Sequence, residues 1–384
     1  MQNESKKSRA VEAAVSGASK LGEGGSAARG VIARYREYLP MGEGTAIITL
    51  GEGSTPLVFA PQLSERIGSR VFIKCEGLNP TGSFKDRGMT VAVSKAVERG
   101  AQGLICASTG NTSASAAAYA ARAGIRCAVI LPAGKIASGK LVQAVAHGAR
   151  IVSIDGTFDD ALRIVRELGD KGEFTIVNSI NPDRIAGQKT AAFEVVDELG
   201  DAPDVHIVPL GNAGNLTAYA AGYSQYLQLG KARVLPRMVG IQAEHAAPVF
   251  YRRVIEKPET VASAIRIGNP ASWEAAQRAI DKSRGAVEIV TDNEILEAQS
   301  WLAKTEGIFV EPASAAPIAG LFKLTKARRG DLTLENVTIV CTCTGHGLKD
   351  PEIVSASFSK GTPVAPTIET VRDAIVSADG SPQG

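Results

Sequence analysis

Residues 71–100 read VFIKCEGLNPTGSFKDRGMTVAVSKAVERG. The stretch begins with an apolar run typical of a buried strand and ends with a segment of helical period. Between them lies NPTGSFKDRG, residues 79–88, which contains a turn and two glycines. This pattern places Lys85 at the start of the helix. The positive end of a helix dipole disfavours a cation there. A solvated surface lysine is the simpler interpretation, but the unfavourable position indicates that Lys85 has a function.

The same strand–turn–helix unit recurs along the chain. Continuous apolar strands that alternate with helices predict parallel sheets covered on both faces, and therefore an α/β fold. In such sheets ligands bind beyond the carboxyl ends of the strands. Predicted helices include MTVAVSKAVERG (89–100) and TSASAAAYAARAG (112–124). The predicted strands are VFIKC (71–75), GLICA (103–107), RCAVIL (126–131), RIVSI (150–154), FTIVN (174–178), VHIVPL (205–210), MVGIQA (238–243) and NVTIVC (336–341).

Composition narrows the class of protein. Of the 384 residues, 44% are hydrophobic and 21% are charged, which is ordinary for a globular protein. The 42 basic and 40 acidic residues nearly balance, which argues against a nucleic-acid partner or an acidic membrane surface. No apolar stretch reaches the roughly 20 residues of a membrane span, and the polar start MQNESKKSRA is unlike a signal peptide. We therefore expect a cytoplasmic protein that binds neither nucleic acid nor membrane.

The cysteines predict no metal site. The five are Cys75, Cys106, Cys127, Cys341 and Cys343, and no C-x-x-C pair occurs. Four lie in apolar runs, which indicates buried reduced thiols. Cys341 and Cys343 could chelate a metal only together with a second pair of ligands, and just four histidines are scattered along the chain.

Four strand-to-helix junctions have an unusual composition. They are NPTGSFKDRG, STGNTSAS (108–115), GNAGN (211–215) and TCTGHG (342–347). Each places glycine, amide or hydroxyl residues where backbone N–H groups are free to bind an anion. GNAGN is the clearest phosphate loop, because its glycines allow close backbone approach and its asparagines add donors. A tight turn without a ligand is the alternative for GNAGN.

Lys85 is suited to covalent chemistry rather than to nucleotide binding. Ser83 and Phe84 separate it from the preceding glycine, so the stretch is not a P-loop. A desolvated lysine near positive charge can instead form a Schiff base with a carbonyl. Arg87 is close enough in sequence to supply that charge, while Asp86 could oppose it or hold the arginine. A lysine, a phosphate loop and a hydroxyl, Thr344, for a ring nitrogen together predict pyridoxal 5′-phosphate.

These motifs, together with LGEGSTPL (50–57), resemble the fold-type-II pyridoxal-phosphate enzymes and, among them, the threonine synthases. The resemblance runs in order from about residue 46 to residue 352. Cysteine synthases usually carry valine at the position of Phe84. Dehydratases usually have a run of glycines in place of GNAGN, and serine or cysteine at the position of Thr344. The resemblance implies a tryptophan synthase β-like fold, in which two open α/β domains with twisted, mostly parallel sheets hold the cofactor in the cleft between them.

The resemblance also implies a reaction and the residues that carry it. The reaction converts O-phospho-L-homoserine and water to L-threonine and phosphate by γ-elimination and β-addition. Lys85 is then the catalytic Schiff-base lysine and Asn111 binds the 3-hydroxyl of the cofactor ring. Thr344 meets the ring nitrogen. The cofactor phosphate is held by Gly211, Asn212, Ala213, Gly214 and Asn215. A homodimer is implied in the same way.

The substrate adds a carboxylate and a second phosphate, for which two segments are candidates. Ser108, Thr109 and Thr112 surround Asn111 at a helix start, which suits an anion. NSINPDR, residues 178–184, offers Asn178, Ser179 and Arg184, and the corresponding segment of threonine synthases helps to bind the substrate phosphate. An arginine fork suits a phosphate. The alternative for Arg184 is a surface ion pair with Asp183 or another acid. Lys74 and Arg87 are weaker candidates for the same role.

Several interpretations stay open. A threonine or serine dehydratase of the same fold and a catalytically silent phosphate-binding protein are the competing functions. His346 is more simply a turn residue than an acid or base. Glu311 either faces the cofactor ring or caps a helix.

The resemblance divides the chain into a larger cofactor-binding domain and a smaller domain. The smaller domain spans residues 92–185, and we expect it to close over the substrate. The larger domain combines residues 31–91 with 186–360. We expect residues 1–30 to form a mobile N-terminal extension and residues 361–384 to form a tail, in which Thr367 to Ser377 could make one helix.

Overall fold

The strands form two separate sheets in a computed structural model of the chain, which describes residues 30–108, 110–133, 138–172, 174–179, 181–327, 332–355 and 363–378. Within those residues there are ten strands. They are β1 Leu57–Phe59, β2 Arg70–Cys75, β3 Gly103–Cys106, β4 Arg126–Pro132, β5 Arg150–Ile154, β6 Thr175–Ile176, β7 Val205–Pro209, β8 Arg237–Ala243, β9 Ala286–Val290 and β10 Thr338–Cys343.

Helices connect nearly all of these strands, as the alternating pattern predicts. The α-helices of the described residues are α1 Gly30–Tyr35, α2 Pro61–Ile67, α3 Lys85–Glu98, α4 Asn111–Ala123, α5 Ser138–Ala146, α6 Phe158–Asp170, α7 Pro182–Gln188, α8 Thr190–Leu199, α9 Gly214–Gln228, α10 Pro248–Tyr251, α11 Trp273–Lys282, α12 Asp292–Thr305, α13 Pro312–Ala327, α14 Pro351–Ser355 and α15 Ile368–Ala378. None of the described helices is long and apolar enough to cross a membrane.

The large sheet has the strand order β1-β2-β10-β7-β8-β9. All neighbours are parallel except the edge strand β1, which runs antiparallel to β2. Alternate residues of one strand enter different cores: Ile339 and Cys341 pack with α12 and α13, whereas Val340 packs with α8 and α9. Burial on both faces explains why the strands read as continuous apolar runs.

The small sheet has the order β5-β4-β3-β6 and is parallel throughout. Helices α3, α4 and α5 cover one face through residues such as Met89, Tyr119 and Leu141. Helix α6 covers the other face through Ala161 and Val165. The predicted α/β fold with mostly parallel sheets is therefore confirmed.

All eight predicted strands are present, with ends that differ by a few residues. FTIVN is shorter than expected, because only Thr175 and Ile176 pair with β3. The sequence missed β1, which is only three residues long, and β9, whose central Glu288 interrupts the apolar pattern. The helix that begins at Asn111 ends as predicted, with Gly124 in the left-handed conformation.

The chain divides into two compact units between Lys349 and Asp350. Both sheets belong to the first unit, and α14 and α15 belong to the second. All four strands of the small sheet lie inside the predicted smaller domain, residues 92–185. The predicted domain boundaries stay a prediction. Nearly all of the predicted N-terminal extension, and the ends of the predicted tail, lie outside the described residues.

Candidate active site

The candidate residues lie where strands of both sheets end. Lys85 follows β2, Asn111 follows β3, the GNAGN loop follows β7 and Thr344 follows β10. The lysine loop is joined directly to the end of β10: the Phe84 N–H donates to the Thr344 carbonyl at 3.0 Å. Parallel strands bring their carboxyl ends to one edge, so residues far apart in the chain meet there.

Lys85 is the first residue of α3 and is half-buried. Its Nζ lies 4.2 Å from the centre of the Phe84 ring. Burial, and then the positive charge of Arg184, lower the pKa of Lys85 to about 7 against the opposing negative charge of Glu311. Close to neutral pH a large share of this amine is therefore uncharged and nucleophilic. The cation that acts on Lys85 is Arg184, and not Arg87 as expected from the sequence.

Asp86 holds the lysine loop and does not hold Arg87. Its carboxylate accepts hydrogen bonds from the Thr81 N–H at 2.7 Å, the Thr81 hydroxyl at 2.6 Å and the Ser115 hydroxyl at 2.6 Å. Burial raises the pKa of Asp86 to about 6. Because Ser115 belongs to α4, this carboxylate ties the loop before Lys85 to the helix that begins with Asn111.

Arg87 belongs to a fully buried ionic cluster with Lys74, Glu76 and Glu194. Its guanidinium contacts both oxygens of Glu76 at 2.7 Å and both oxygens of Glu194 at 2.8 and 2.6 Å. Lys74 Nζ donates to Glu194 at 2.8 Å. Two cations and two anions balance within the cluster, which desolvation would otherwise make costly. These contacts engage Arg87 and Lys74 in the core, so neither favours a role in substrate binding.

Two glycines bring α7 against α3 and so place Arg184 near Lys85. A Cβ built on Gly88 would lie 2.7 Å from the Arg184 carbonyl oxygen, and one on Gly187 would lie 2.0 Å from the Arg87 carbonyl oxygen. Any side chain at either position would push the helices apart. The backbones can approach only because both residues are glycine.

Arg184 is 1% exposed but has no carboxylate partner among the described residues. One guanidinium nitrogen donates to the Val177 carbonyl at 3.0 Å, and Nε has no described partner. Burial lowers the pKa of Arg184 to about 10. The predicted alternative, an ion pair with Asp183, is wrong: Asp183 pairs with Arg99 at 3.2 Å. A buried, incompletely bonded guanidinium is a ready site for an anion.

The GNAGN loop presents a group of unused donors. Ala213 adopts a positive φ of 64°, after which α9 begins at Gly214. Within the described structure, the backbone N–H groups of residues 211–216 donate to no other residue. Asn215 is 8% exposed, and its Nδ2 has no described partner. Asn212 instead accepts from the Ala271 N–H at 3.3 Å, which braces the loop. Free N–H groups at a helix start favour a phosphate.

Thr344 is 4% exposed, and its hydroxyl lies 2.8 Å from the hydroxyl of Ser314. Ser314 Oγ also accepts from the Gly345 N–H at 2.8 Å. Sequence reasoning missed Ser314, although its segment EPASAAP has the composition of another junction. His346 Nδ1 accepts from the Leu348 N–H at 3.1 Å, which fits the expected turn residue.

Asn111 and Glu311 meet across the site. The Asn111 Nδ2 donates to both carboxylate oxygens of Glu311, at 3.0 and 3.2 Å. Glu311 is 2% exposed, and its backbone N–H donates to the Gly345 carbonyl at 3.1 Å. Of the two predicted interpretations, the contacts favour a carboxylate that faces the site.

The remaining predicted substrate residues have different surroundings. Thr112 is buried in the first turn of α4, and Ser108 accepts from the Gly110 N–H at 3.3 Å. Both ends of the Asn178 amide bond the Ala107 backbone, at 3.0 and 3.2 Å. Ser179, the next residue in the chain after Asn178, is half-buried. Thr109 lies outside the described residues.

Comparisons with known proteins agree with this arrangement. The family model described as "Pyridoxal-phosphate dependent enzyme" matches residues 48–345. A threonine synthase of Mycobacterium leprae is 56% identical over 336 residues, which cover 87% of this chain and 92% of that protein. A threonine synthase of Synechocystis is 57% identical over 326 residues, which cover 84% of each.

The fold is also shared with solved structures. Maize serine racemase superposes with a TM-score of 0.69 over 79% of this chain and 91% of its own, at 19% sequence identity. At that identity the likeness shows the fold alone. The family match, by contrast, extends over the described segments that hold Lys85, Asn111, the GNAGN loop and Thr344. The chain belongs to the family of pyridoxal-phosphate-dependent enzymes.

Proposed function

We propose that this protein is a threonine synthase, which converts O-phospho-L-homoserine and water to L-threonine and phosphate. Relatives named threonine synthase are 51 to 57% identical over most of the chain. The proposal is supported by an amine on Lys85, by donors for two anions in the GNAGN loop and on Arg184, and by a neutral hydroxyl on Thr344, which together suit this reaction. The alternative, a dehydratase of the same fold, is not favoured by the relatives.

The residues fit pyridoxal 5′-phosphate. The N–H groups of residues 211–216 and the Asn215 Nδ2, which have no partner among the described residues, can hold its phosphate. Lys85 offers the amine, and Asn111 the donor for the ring oxygen. When bound, the cofactor supplies an electron sink that allows bonds at carbons next to the substrate amine to break.

Lys85 has the properties of the base that moves protons in this reaction. A pKa of about 7 leaves about half of the Lys85 amines uncharged and able to accept a proton at neutral pH. Nζ lies at the end of a flexible side chain. The same nitrogen can therefore reach protons on neighbouring carbons of the substrate. We assign removal of the α proton and later of a β proton to Lys85 Nζ.

Thr344 is proposed to meet the ring nitrogen. Ser314 Oγ accepts from Gly345, so its own hydrogen can be donated to Thr344 Oγ1 at 2.8 Å. The Thr344 hydrogen is then directed elsewhere and can be donated to an acceptor. A neutral hydroxyl leaves the ring nitrogen largely unprotonated, unlike an aspartate partner.

The surroundings of Arg184 are the observation that supports phosphohomoserine as the substrate. A dehydratase substrate brings a single carboxylate, whereas phosphohomoserine brings a carboxylate and a phosphate. The site contains a buried guanidinium close enough to lower the pKa of Lys85, with no described carboxylate to neutralise it. We assign the leaving phosphate to Arg184 and Ser179. Ser108, Thr109 and Thr112 are proposed for the carboxylate.

The assembly and location are part of the proposal. A homodimer is supported by the resemblance to the family. A cytoplasmic location is supported by the cysteines, since all five thiols are free and buried, as in a reducing compartment.

A product panel tests the function. Purified holoenzyme is supplied separately with phosphohomoserine, L-threonine and L-serine, and phosphate, threonine and oxo acid are measured. We expect phosphate and threonine in equal amounts from phosphohomoserine. Oxo acid from threonine without phosphate release would identify a dehydratase, and no turnover of any substrate would favour a silent binding protein.

A further inference from the structure

The Asn111 amide has one described hydrogen-bonding partner, the carboxylate of Glu311. Both residues are buried, at 8% and 2% exposed. The two ends of an amide have nearly the same shape, so its hydrogen bonds decide which end carries the nitrogen. Among the described residues, only Glu311 orients this amide.

Glu311 is itself held firmly by backbone contacts. Its N–H donates to the Gly345 carbonyl at 3.1 Å, and its carbonyl accepts from the Ser314 N–H at 2.9 Å. A Cβ built on Gly345 would lie 2.4 Å from Glu311 Oε1, so the carboxylate rests against the bare Cα of that glycine. The carboxylate thus has a fixed place between the ends of β3 and β10.

An ionised carboxylate can only accept, so it selects the NH₂ end of the amide. The two oxygens of one carboxylate subtend a smaller angle at Nδ2 than the two N–H bonds of a planar amide do. One N–H of Asn111 therefore serves both oxygens, at 3.0 and 3.2 Å, and the second N–H is left to serve another acceptor.

We propose that Glu311 is a positioning residue that fixes the Asn111 amide with its nitrogen toward the cofactor, so that the second N–H donates to the ring oxygen. The inference rests on the proposed function in one respect, the pairing of Asn111 with that oxygen. With the amide reversed, its carbonyl would face the ring oxygen and repel it. Glu311 thereby acts on the cofactor through Asn111.

Three variants separate orientation from packing. Glu311→Gln has the same shape but can accept or donate, so it permits both orientations of Asn111. Glu311→Asp keeps a carboxylate, which can only accept, and tests whether cofactor binding is partly restored relative to Glu311→Gln. Asn111→Ala removes the amide, and Glu311→Gln is also made in that background. Glu297→Gln, an exposed position on α12, is the matched control for loss of one carboxylate.

The dissociation constant of pyridoxal 5′-phosphate is measured for each protein by equilibrium dialysis. We expect Glu311→Gln to weaken binding about tenfold when Asn111 is present and less than about twofold when it is alanine. Glu311→Asp should recover part of the loss. Equal weakening by Glu311→Gln in both backgrounds would overturn the proposal, as would unchanged binding with Asn111 present.

The same proteins distinguish this inference from the proposed function. Wild-type enzyme that binds the cofactor but releases no phosphate from phosphohomoserine contradicts the function, while the binding cycle still tests Glu311. Unchanged cofactor binding in Asn111→Ala contradicts the role of Asn111 and overturns the inference with it.

Discussion

Two arginines of this protein are equally buried but differ in their surroundings. Arg87 is neutralised by two carboxylates and belongs to the framework. Arg184 has a single described bond from its side chain, to a carbonyl, and an unpartnered Nε. Desolvating a cation without a partner costs free energy, which folded proteins tolerate mainly at functional sites. The difference assigns Arg87 to stability and Arg184 to function.

Replacing Arg184 by Met should therefore separate activity from stability. Loss of a charged hydrogen-bonding pair with the substrate phosphate should lower kcat/KM for phosphohomoserine roughly 10- to 100-fold. Removing a buried cation that has no carboxylate partner among the described residues should leave the melting temperature unchanged or raise it. Steady-state kinetics and thermal unfolding measure the two effects.

Arg184→Lys is the control for this variant, since it keeps the charge but loses the planar fork, and it should retain intermediate activity. At a pH well above the pKa of Lys85, where the amine is uncharged in each protein, cofactor affinity should be unchanged in both variants. A lower melting temperature together with unchanged kcat/KM would show that Arg184 is structural.

Capture of the cofactor by cofactor-free enzyme should report the pKa of Lys85. Only the uncharged amine attacks the aldehyde, so the rate should rise with pH with a midpoint near the pKa of about 7. Arg184→Met should move the midpoint to higher pH, because the positive charge that favours the neutral amine is lost. Stopped-flow absorbance at a series of pH values measures it. A rate that is still rising steeply above pH 9 would contradict a lowered pKa.

At the scale of elements, the parallel sheets could be predicted from the sequence. The side-chain contacts between one element and another could not. Apolar runs identified the buried strands, and glycine- and amide-rich turns identified the junctions. The cluster of Lys74, Glu76, Arg87 and Glu194 could not be predicted. Its members come from separate elements, and each residue taken alone has the sequence surroundings of an ordinary surface charge. For the same reason, closeness in sequence predicted that Arg87 acts on Lys85, whereas the cation that does so is Arg184.

This cluster should dominate the stability of the junction between β2, α3 and α8. Arg87→Met would leave two buried carboxylates with only Lys74, and we expect a loss of roughly 3–5 kcal/mol in the free energy of unfolding. Arg278→Met, which removes an exposed i,i+4 pair with Glu274, should cost under about 0.5 kcal/mol. Urea unfolding compares them. Equal losses would contradict the role of the cluster.

The cluster also makes a pH prediction. Despite opposition from burial, Arg87 and Lys74 hold the pKa of Glu194 well below its ordinary value of 4.5. The folded state therefore binds fewer protons than the unfolded state below that value. This contribution is fully present above about pH 4.5 and is lost as the pH falls further. Arg87→Met should unfold at a higher pH than wild type in an acid titration followed by circular dichroism.

At the scale of the whole molecule, the cofactor should stabilise the chain, because in the proposed site it would bond loops that follow strands of both sheets. A ligand at 100 times its dissociation constant adds about 2.7 kcal/mol to the free energy of unfolding. Thermal unfolding with and without pyridoxal 5′-phosphate tests this, with Lys85→Ala as the variant that loses covalent attachment. We expect a higher melting temperature in wild type and a smaller increase in Lys85→Ala. No increase in wild type would contradict the site.

The fold and the cofactor were the easiest features to predict from the sequence, and the substrate site was the hardest. Four motifs in a fixed order indicated the fold and the cofactor, because phosphate and amine chemistry use short, local segments. The proposed substrate site depends on the packing of α7 against α3 through Gly88 and Gly187, and no local pattern around Arg184 encodes that contact.

The most direct test follows the oxygen of water. The holoenzyme is incubated with phosphohomoserine in water enriched in heavy oxygen, and both products are analysed by mass spectrometry. Elimination of phosphate followed by addition of water predicts heavy oxygen in the hydroxyl group of threonine and none in the phosphate at early times. Heavy oxygen in the phosphate together with homoserine as product would show hydrolysis of the phosphate ester, and would contradict the proposed function.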